Sequence, residues 1–223
     1  MAIAFVQDDA YYSESASATT AVKAFTGNVA AGSLIVVAVS GSNTGTVTAT
    51  SSDSINGAHL LAVGPTVHAT LGTQGFRQWI FYFANSGSGA CTVTVSFSAT
   101  IGFRRLMILE YSGIATSSAL DQTAAATGNS GTADSGAQTT TQADELIFGL
   151  GINENGDITT GSGFTGREAA DLYTKPEDKI VSSTGSYNAT FGGSSTNWIA
   201  QMATFKAPGS GTILPMMMQH HGG

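Results

Sequence analysis

Charge is what this sequence has least of. Asp, Glu, Lys and Arg together make up 10% of 223 residues. Long Lys and Glu side chains are scarce, while Gly, Ser, Thr and Ala abound; this argues against helices and for strands and turns. With a net charge of −7, the chain has no excess of cations to neutralise phosphates, so nucleic acid is not an expected partner. Cysteine is nearly absent. The one present, Cys91 in the run ACTVTVSFS, cannot form an internal disulfide, and no histidine stands beside it to activate a thiolate. It reads as a small buried hydrophobe. No stretch approaches ~18 consecutive apolar residues, so no membrane helix is expected. The start, MAIAFVQDDAYYSES, lacks the basic, apolar and small-residue regions of a signal peptide, which predicts cytoplasmic synthesis. No GxSxG elbow, phosphate loop or HExxH motif is found, and no internal repeat of fixed period.

What the chain does have is hydrophobicity without charge. Hydrophobic residues are 42% of it, enough to separate it from a disordered Ser/Gly-rich polymer. They fall in β-branched and aromatic runs between Gly, Ser, Asn and Asp clusters. Ala21 to Thr26 alternates, Thr44 to Thr50 alternates Val and Ala against Thr, and Thr92 to Ser98 is a period-2 strand. SLIVVAV from Ser33 to Val39 is a continuous apolar run that suits a strand buried on both faces. Leu60 to Val67, Arg77 to Phe83, Arg105 to Tyr111, Glu145 to Gly151, Lys179 to Ser183, Ser186 to Phe191 and Trp198 to Lys206 complete the set. About ten to thirteen strands at roughly 8–15-residue spacing predict an all-β, antiparallel, jelly-roll-like β-sandwich, with a concanavalin-like arrangement as the variant. Each strand is expected to turn one apolar and one polar face outward from a two-sheet stack. Ala115 to Gln142, rich in Thr, Ala, Ser and Gly, reads as a long loop with at most a weak edge strand. Residues 1–206 form one domain, 207–212 (APGSGT) a linker, and 213–223 an appended, flexible apolar peptide.

Candidate chemistry is thin. Asp53 and Asn56 flank a turn at Ser54-Ile55-Asn56-Gly57, where Asx side chains bond nearby backbone. Asn153-Glu154-Asn155-Gly156-Asp157 is the densest oxygen cluster; it reads as a polar hairpin turn, with Ca²⁺ the alternative. It lacks the spacing of an EF-hand, so no metal site is assigned. Glu110 shares a strand face with Leu106 and Ile108 and is expected in a structural ion pair with Arg77, Arg104 or Arg105. A glycosidase would need a second carboxylate facing it, and none is nominated. The histidines, His59, His68, His220 and His221, form no metal-ligand spacing. Tyr11-Tyr12 reads as an exposed pair. Trp79, Tyr82, Tyr111, Tyr187 and Trp198 are the aromatics that could stack on a glycan, with Trp79, Tyr82 and Trp198 the chosen candidates. Asn188-Ala189-Thr190 matches the glycosylation acceptor pattern only by accident, given no secretory signal.

In order, SLIVVAVSG, SSDSINGA, WIFYFANSGSGACTVTVSFS, LMILEYSGI, ADELIFGLG, GFTGRE and WIAQMATFK resemble an uncharacterised family of jelly-roll-like β-sandwich proteins from tailed-phage virion genes and bacterial surface proteins. The resemblance covers roughly residues 20–206 and carries no catalytic set. It implies a non-enzymatic virion component, such as a capsid decoration, made in the host cytoplasm and placed on the virion surface. A carbohydrate-binding or adhesion module is the alternative. The tail, ILPMMMQHHGG, lies outside the resemblance. Ile213, Leu214, Met216, Met217 and Met218 offer apolar, adaptable side chains that would dock on a second copy, or on capsid or other virion subunits. The expected partners are therefore a homo-oligomer or virion subunits and a host-surface glycan, with no cofactor and no membrane.

Overall fold

The computed structural model describes residues 1–14, 18–71 and 75–209. The docking tail, residues 213–223, thus lies outside the described residues. The described residues form fifteen strands. They are β1 (Ala4–Ser13), β2 (Ala18–Ala24), β3 (Leu34–Ser42), β4 (Ala49–Asp53), β5 (Gly57–Ala58), β6 (Leu60–His68), β7 (Phe76–Phe83) and β8 (Thr92–Ser112). There follow β9 (Leu120–Asp134), β10 (Gln138–Thr139), β11 (Glu145–Asn153), β12 (Thr165–Gly166), β13 (Thr174–Val181), β14 (Ser186–Tyr187) and β15 (Thr190–Lys206). No helix occurs among the described residues, and every strand pairing is antiparallel.

The expected antiparallel sandwich is present, with one layer more than a simple two-sheet stack. An eight-stranded sheet runs β5-β4-β8-β3-β7-β6, with β1 and β2 also on β8; a five-stranded sheet runs β12-β13-β11-β15-β9. The larger sheet curls because β8 is 21 residues long and serves two neighbourhoods. Its first part pairs with β2 and β4, and its second part with β1 and β3. Between them the register slips at Ser40 to Ser42 and Phe103 turns to a φ of 46°. The curl folds the first part back over the second.

Hence β3 has two apolar faces, as SLIVVAV requires. Leu34, Val36 and Ala38 meet Leu146, Phe148 and Phe205 of the five-stranded sheet. Ile35, Val37 and Val39 face the other way, onto Val93, Val95 and Phe97 of the curled part. β11 is likewise buried along its whole length, its outer face carrying Ile147 among Phe191, Ala200 and Met202. The one-polar-face expectation fails for these central strands because both of their faces are covered.

Two further expectations change. β1 was not legible as a strand, yet it pairs with β8 from Arg104 to Ser112. Ala115 to Gln142 is largely strand: β9 spans 15 residues on the edge of the smaller sheet. Its small side chains bury little, and β15 holds it through the ladder from Asp134↔Thr190 to Leu120↔Phe205. Trp198 lies across Gly128 of β9, where a Cβ would sit 2.4 Å from the ring, and its indole N–H donates to Ser130 Oγ at 2.9 Å.

Candidate functional site

Two places bring chemically capable groups together. The first is in the curled layer. Ser51 and Asp53, two apart on β4, project to the same side. The turn over residues 54–57 returns the chain so that Asp53 pairs with Gly57 and His59 comes to lie beside both. Ser51 Oγ is 2.8 Å from His59 Nδ1, and His59 Nε2 is 2.7 Å from Asp53 Oδ2. This is the connectivity of a Ser–His–Asp triad with the two imidazole nitrogens exchanged. The side chains of His59 and Asp53 are both 0% exposed, so a substrate carbonyl has no approach to Ser51. Burial pushes the His59 pKa below its ordinary value even though Asp53 pulls the other way, which keeps the ring neutral. Burial alone would raise Asp53, but hydrogen bonds from His59, from the Asn56 side chain and from the Asn56 and Ile55 amides hold it low. The amides of Ile55 and Asn56 donate to Asp53 Oδ1 at 2.7 and 2.6 Å; this is the Asx turn expected there. The relay fastens that turn to the sheet.

The second place is a pocket of about 220 Å³ at the end of the sandwich, where β1, β3 and β11 finish and β8 bends. Arg105 forms its floor. The guanidinium Cζ lies 5.2, 5.1 and 5.4 Å from the ring centroids of Tyr12, Phe76 and Tyr173. Arg105 Nε donates to Asp171 Oδ2 at 2.6 Å, and Nη2 stands 2.6 Å from the same oxygen. Asp171 Oδ1 accepts from the amides of Tyr173 and Thr174. The pair joins β8 of one sheet to the segment that enters β13 of the other, and it is nearly dry, with side chains 3% and 12% exposed. Glu14 and Glu154 add carboxylates to the lining. Asn197 Nδ2 holds Glu154 at 3.0 Å. Phe103 also lines the pocket. Its φ of 46° is a left-handed conformation that costs a bulky residue on the order of 1–3 kcal/mol, and the residue is 37% exposed.

The residues singled out from sequence fall elsewhere. Trp79 is 1% exposed against Phe97, so its faces are closed to a sugar. Tyr82 and Trp198 are each 8% exposed; Tyr82 packs on Phe205 and Trp198 secures β9. The three are not brought together. Tyr11 and Tyr12 are half-buried rather than an exposed pair. Glu110 is fully buried, but no arginine meets it. It accepts from Gln7 Nε2 at 2.6 Å and from the Ala30 amide at 2.8 Å. Arg77 donates instead to the carbonyls of Asn43 and Gly45, and Arg104 to Ile101 O and Ser13. Cys91 is buried, and that burial first, with Asp53 and Glu110 adding, pushes its thiol up to about 12. In the Asn153–Asp157 loop, Asn153 Nδ2 donates to Asp157 Oδ1 at 2.6 Å, and Ser194 donates to Asp157 Oδ2. Its oxygens thus face hydrogen-bond donors. Among the described residues no group of three or more His, Cys, Asp or Glu side chains converges for a metal.

The relay had a signal in sequence, namely Ser and Asp at i and i+2 followed by a tight turn and His. The pocket had none, because its residues come from strand ends far apart in the chain. No family model, curated protein or solved structure matches this chain.

Proposed function

We propose that this chain is a non-enzymatic structural component of a repeated assembly, a phage capsid decoration or a comparable protein of the virion surface. The observation that carries the reading is the position of β9 at one end of its sheet, where among the described residues β15 is the one strand that pairs with it. This strand is 15 residues long, closes one side of its sheet, and carries no charged side chain between Asp121 and Asp134. Soluble proteins protect such edges with Lys, Pro, bulges or a covering segment, because unpaired N–H and C=O groups recruit another strand; β9 has neither Lys nor Pro, and its ladder with β15 shifts register only near its two ends, leaving Thr123 to Ser130 regular. Uncharged Thr, Ala, Asn and Gly along β9 favour recruitment. A second copy related by a two-fold axis would set β9 against β9, antiparallel, and join two five-stranded sheets into one. The resemblance over residues 20–206 supports placing such an assembly on a virion.

The test is sedimentation velocity of the full chain against Thr127→Lys, a change at an exposed position of β9. The expected result is a dimer or larger species for the natural chain and a monomer for the variant. A natural chain that stays monomeric at high concentration, and is missing from purified particles, contradicts the reading. The carbohydrate-binding alternative is favoured by one observation, the aromatic pocket around Arg105.

A further inference from the structure

We propose that the pocket floored by Arg105 binds a neutral pyranose sugar, the terminal unit of a glycan, with Phe103 as the ring platform and Tyr173 as the neighbouring wall. The inference deepens the carbohydrate-binding alternative and does not depend on assembly through β9. A sugar ring has an apolar face of C–H groups and a rim of hydroxyls that both donate and accept. The pocket offers each complement. Phe103 and Tyr173 are 37% and 41% exposed, a large aromatic surface to leave in water unless it meets a ligand. Arg105 has five N–H donors; Asp171 and Phe103 O take three, which leaves donors on a buried side chain that lines the pocket. Glu14 supplies an acceptor. The volume of about 220 Å³ lies below the ~300–1,000 Å³ of pockets for drug-sized ligands, which suits one ring.

Other ligand classes fit less well. An anion would meet Glu14 and Glu154, while the positive charge of Arg105 is already balanced by Asp171. A cation would look for free aromatic faces, but Tyr12, Phe76 and Tyr173 already surround a cation of the protein's own. The backbone at Phe103 is a further indication. A left-handed phenylalanine is held against its own preference, and such strain concentrates where a side chain must be presented.

The full chain would be examined by saturation-transfer NMR with D-glucose, D-galactose, D-mannose and N-acetyl-D-glucosamine. Choline serves as the cationic probe and N-acetylneuraminic acid as the anionic one. At least one neutral sugar is expected to bind in the millimolar range. Phe103→Asn, which tolerates the left-handed backbone, should weaken that binding about tenfold without lowering the melting temperature. Tyr173→Ala should weaken it in the same direction, and Thr127→Lys should leave it intact, so loss of assembly and loss of binding are read separately. The proposal is overturned if no neutral sugar shows transfer, if transfer survives both Phe103→Asn and Tyr173→Ala unchanged, or if choline or the sialic acid binds most tightly at these residues.

Discussion

The curled layer and the end of the sandwich each hold a cluster of chemically capable groups, and the two differ in opposite respects. Ser51, His59 and Asp53 have the connectivity of acyl-transfer chemistry, but the His59 and Asp53 side chains have no exposure to solvent. The Arg105 pocket has access, rings and carboxylates, yet its strongest charge is tied to Asp171 and its lining includes no cysteine or histidine among the described residues. Hydrogen-bond connectivity and solvent access are separate requirements. In the relay a neutral imidazole bridges a hydroxyl and a carboxylate because burial forbids leaving any of them unpaired. In the pocket an arginine is held rigid by aromatic rings, which leaves a fixed surface for recognition.

The comparison is most easily broken at Arg105. Arg105→Ala leaves Asp171 largely buried without its cation, and such half-removed pairs cost about 3–5 kcal/mol. Chemical denaturation should show that loss; a change under about 1 kcal/mol, the range of an exposed pair, would mean that the pocket floor is not the rigid element described.

A smaller effect separates the pH response of the fold from the relay. Burial pushes Glu177 up from 4.5 to about 8. The unfolded chain then releases this proton first, so stability is fullest below about pH 4.5 and falls as pH rises towards about 8. At 1.36 kcal/mol per pKa unit the fall is about 3 kcal/mol by pH 7 and about 5 kcal/mol at most. Glu177→Gln should flatten the slope and stabilise the protein at pH 8. His59 acts with the opposite sign: its lowered pKa makes stability decline as pH drops below about 6.5. Denaturation midpoints from pH 5 to pH 8.5 that rise with pH in both natural chain and variant would give control to the relay instead.

The smallest effect is at Ser51. Ser51→Ala leaves His59 Nδ1 buried without its partner, a loss of about 1–3 kcal/mol, and a fluorophosphonate probe should leave Ser51 unlabelled in the natural chain. Labelling at Ser51 would mean that the relay opens and that the contrast with the pocket is false.

Much of the architecture was legible because burial on two faces leaves a mark in sequence. SLIVVAV and ELIFGLG contain no polar residue at alternate positions, and both became central strands. β1 was hidden by Asp8 and Asp9 within AFVQDDAYYS. These charges are tolerated because Lys23 and Thr26 meet Asp9 and the Glu168 amide meets Asp8. β9 was hidden because its composition is that of a loop; the backbone of β15 makes it a strand. Of the site, Asp53 and Asn56 were read correctly as a turn, since an Asx turn is a local interaction. Tyr12, Phe103, Arg105 and Tyr173 meet only after both sheets have formed and β8 has bent, so no local pattern marks them. The aromatics that did stand out, Trp79, Tyr82 and Trp198, stood out because they lie in strongly apolar strands, and for the same reason they are buried.

The central claim is that β9 is an edge built to be paired. Hydrogen–deuterium exchange of the full chain across a range of protein concentrations tests it directly. Amides of residues 120–134 should become protected as concentration rises, while those of β4, in the curled layer, should not change. Exchange of β9 that is independent of concentration, and fast at every one, would contradict it.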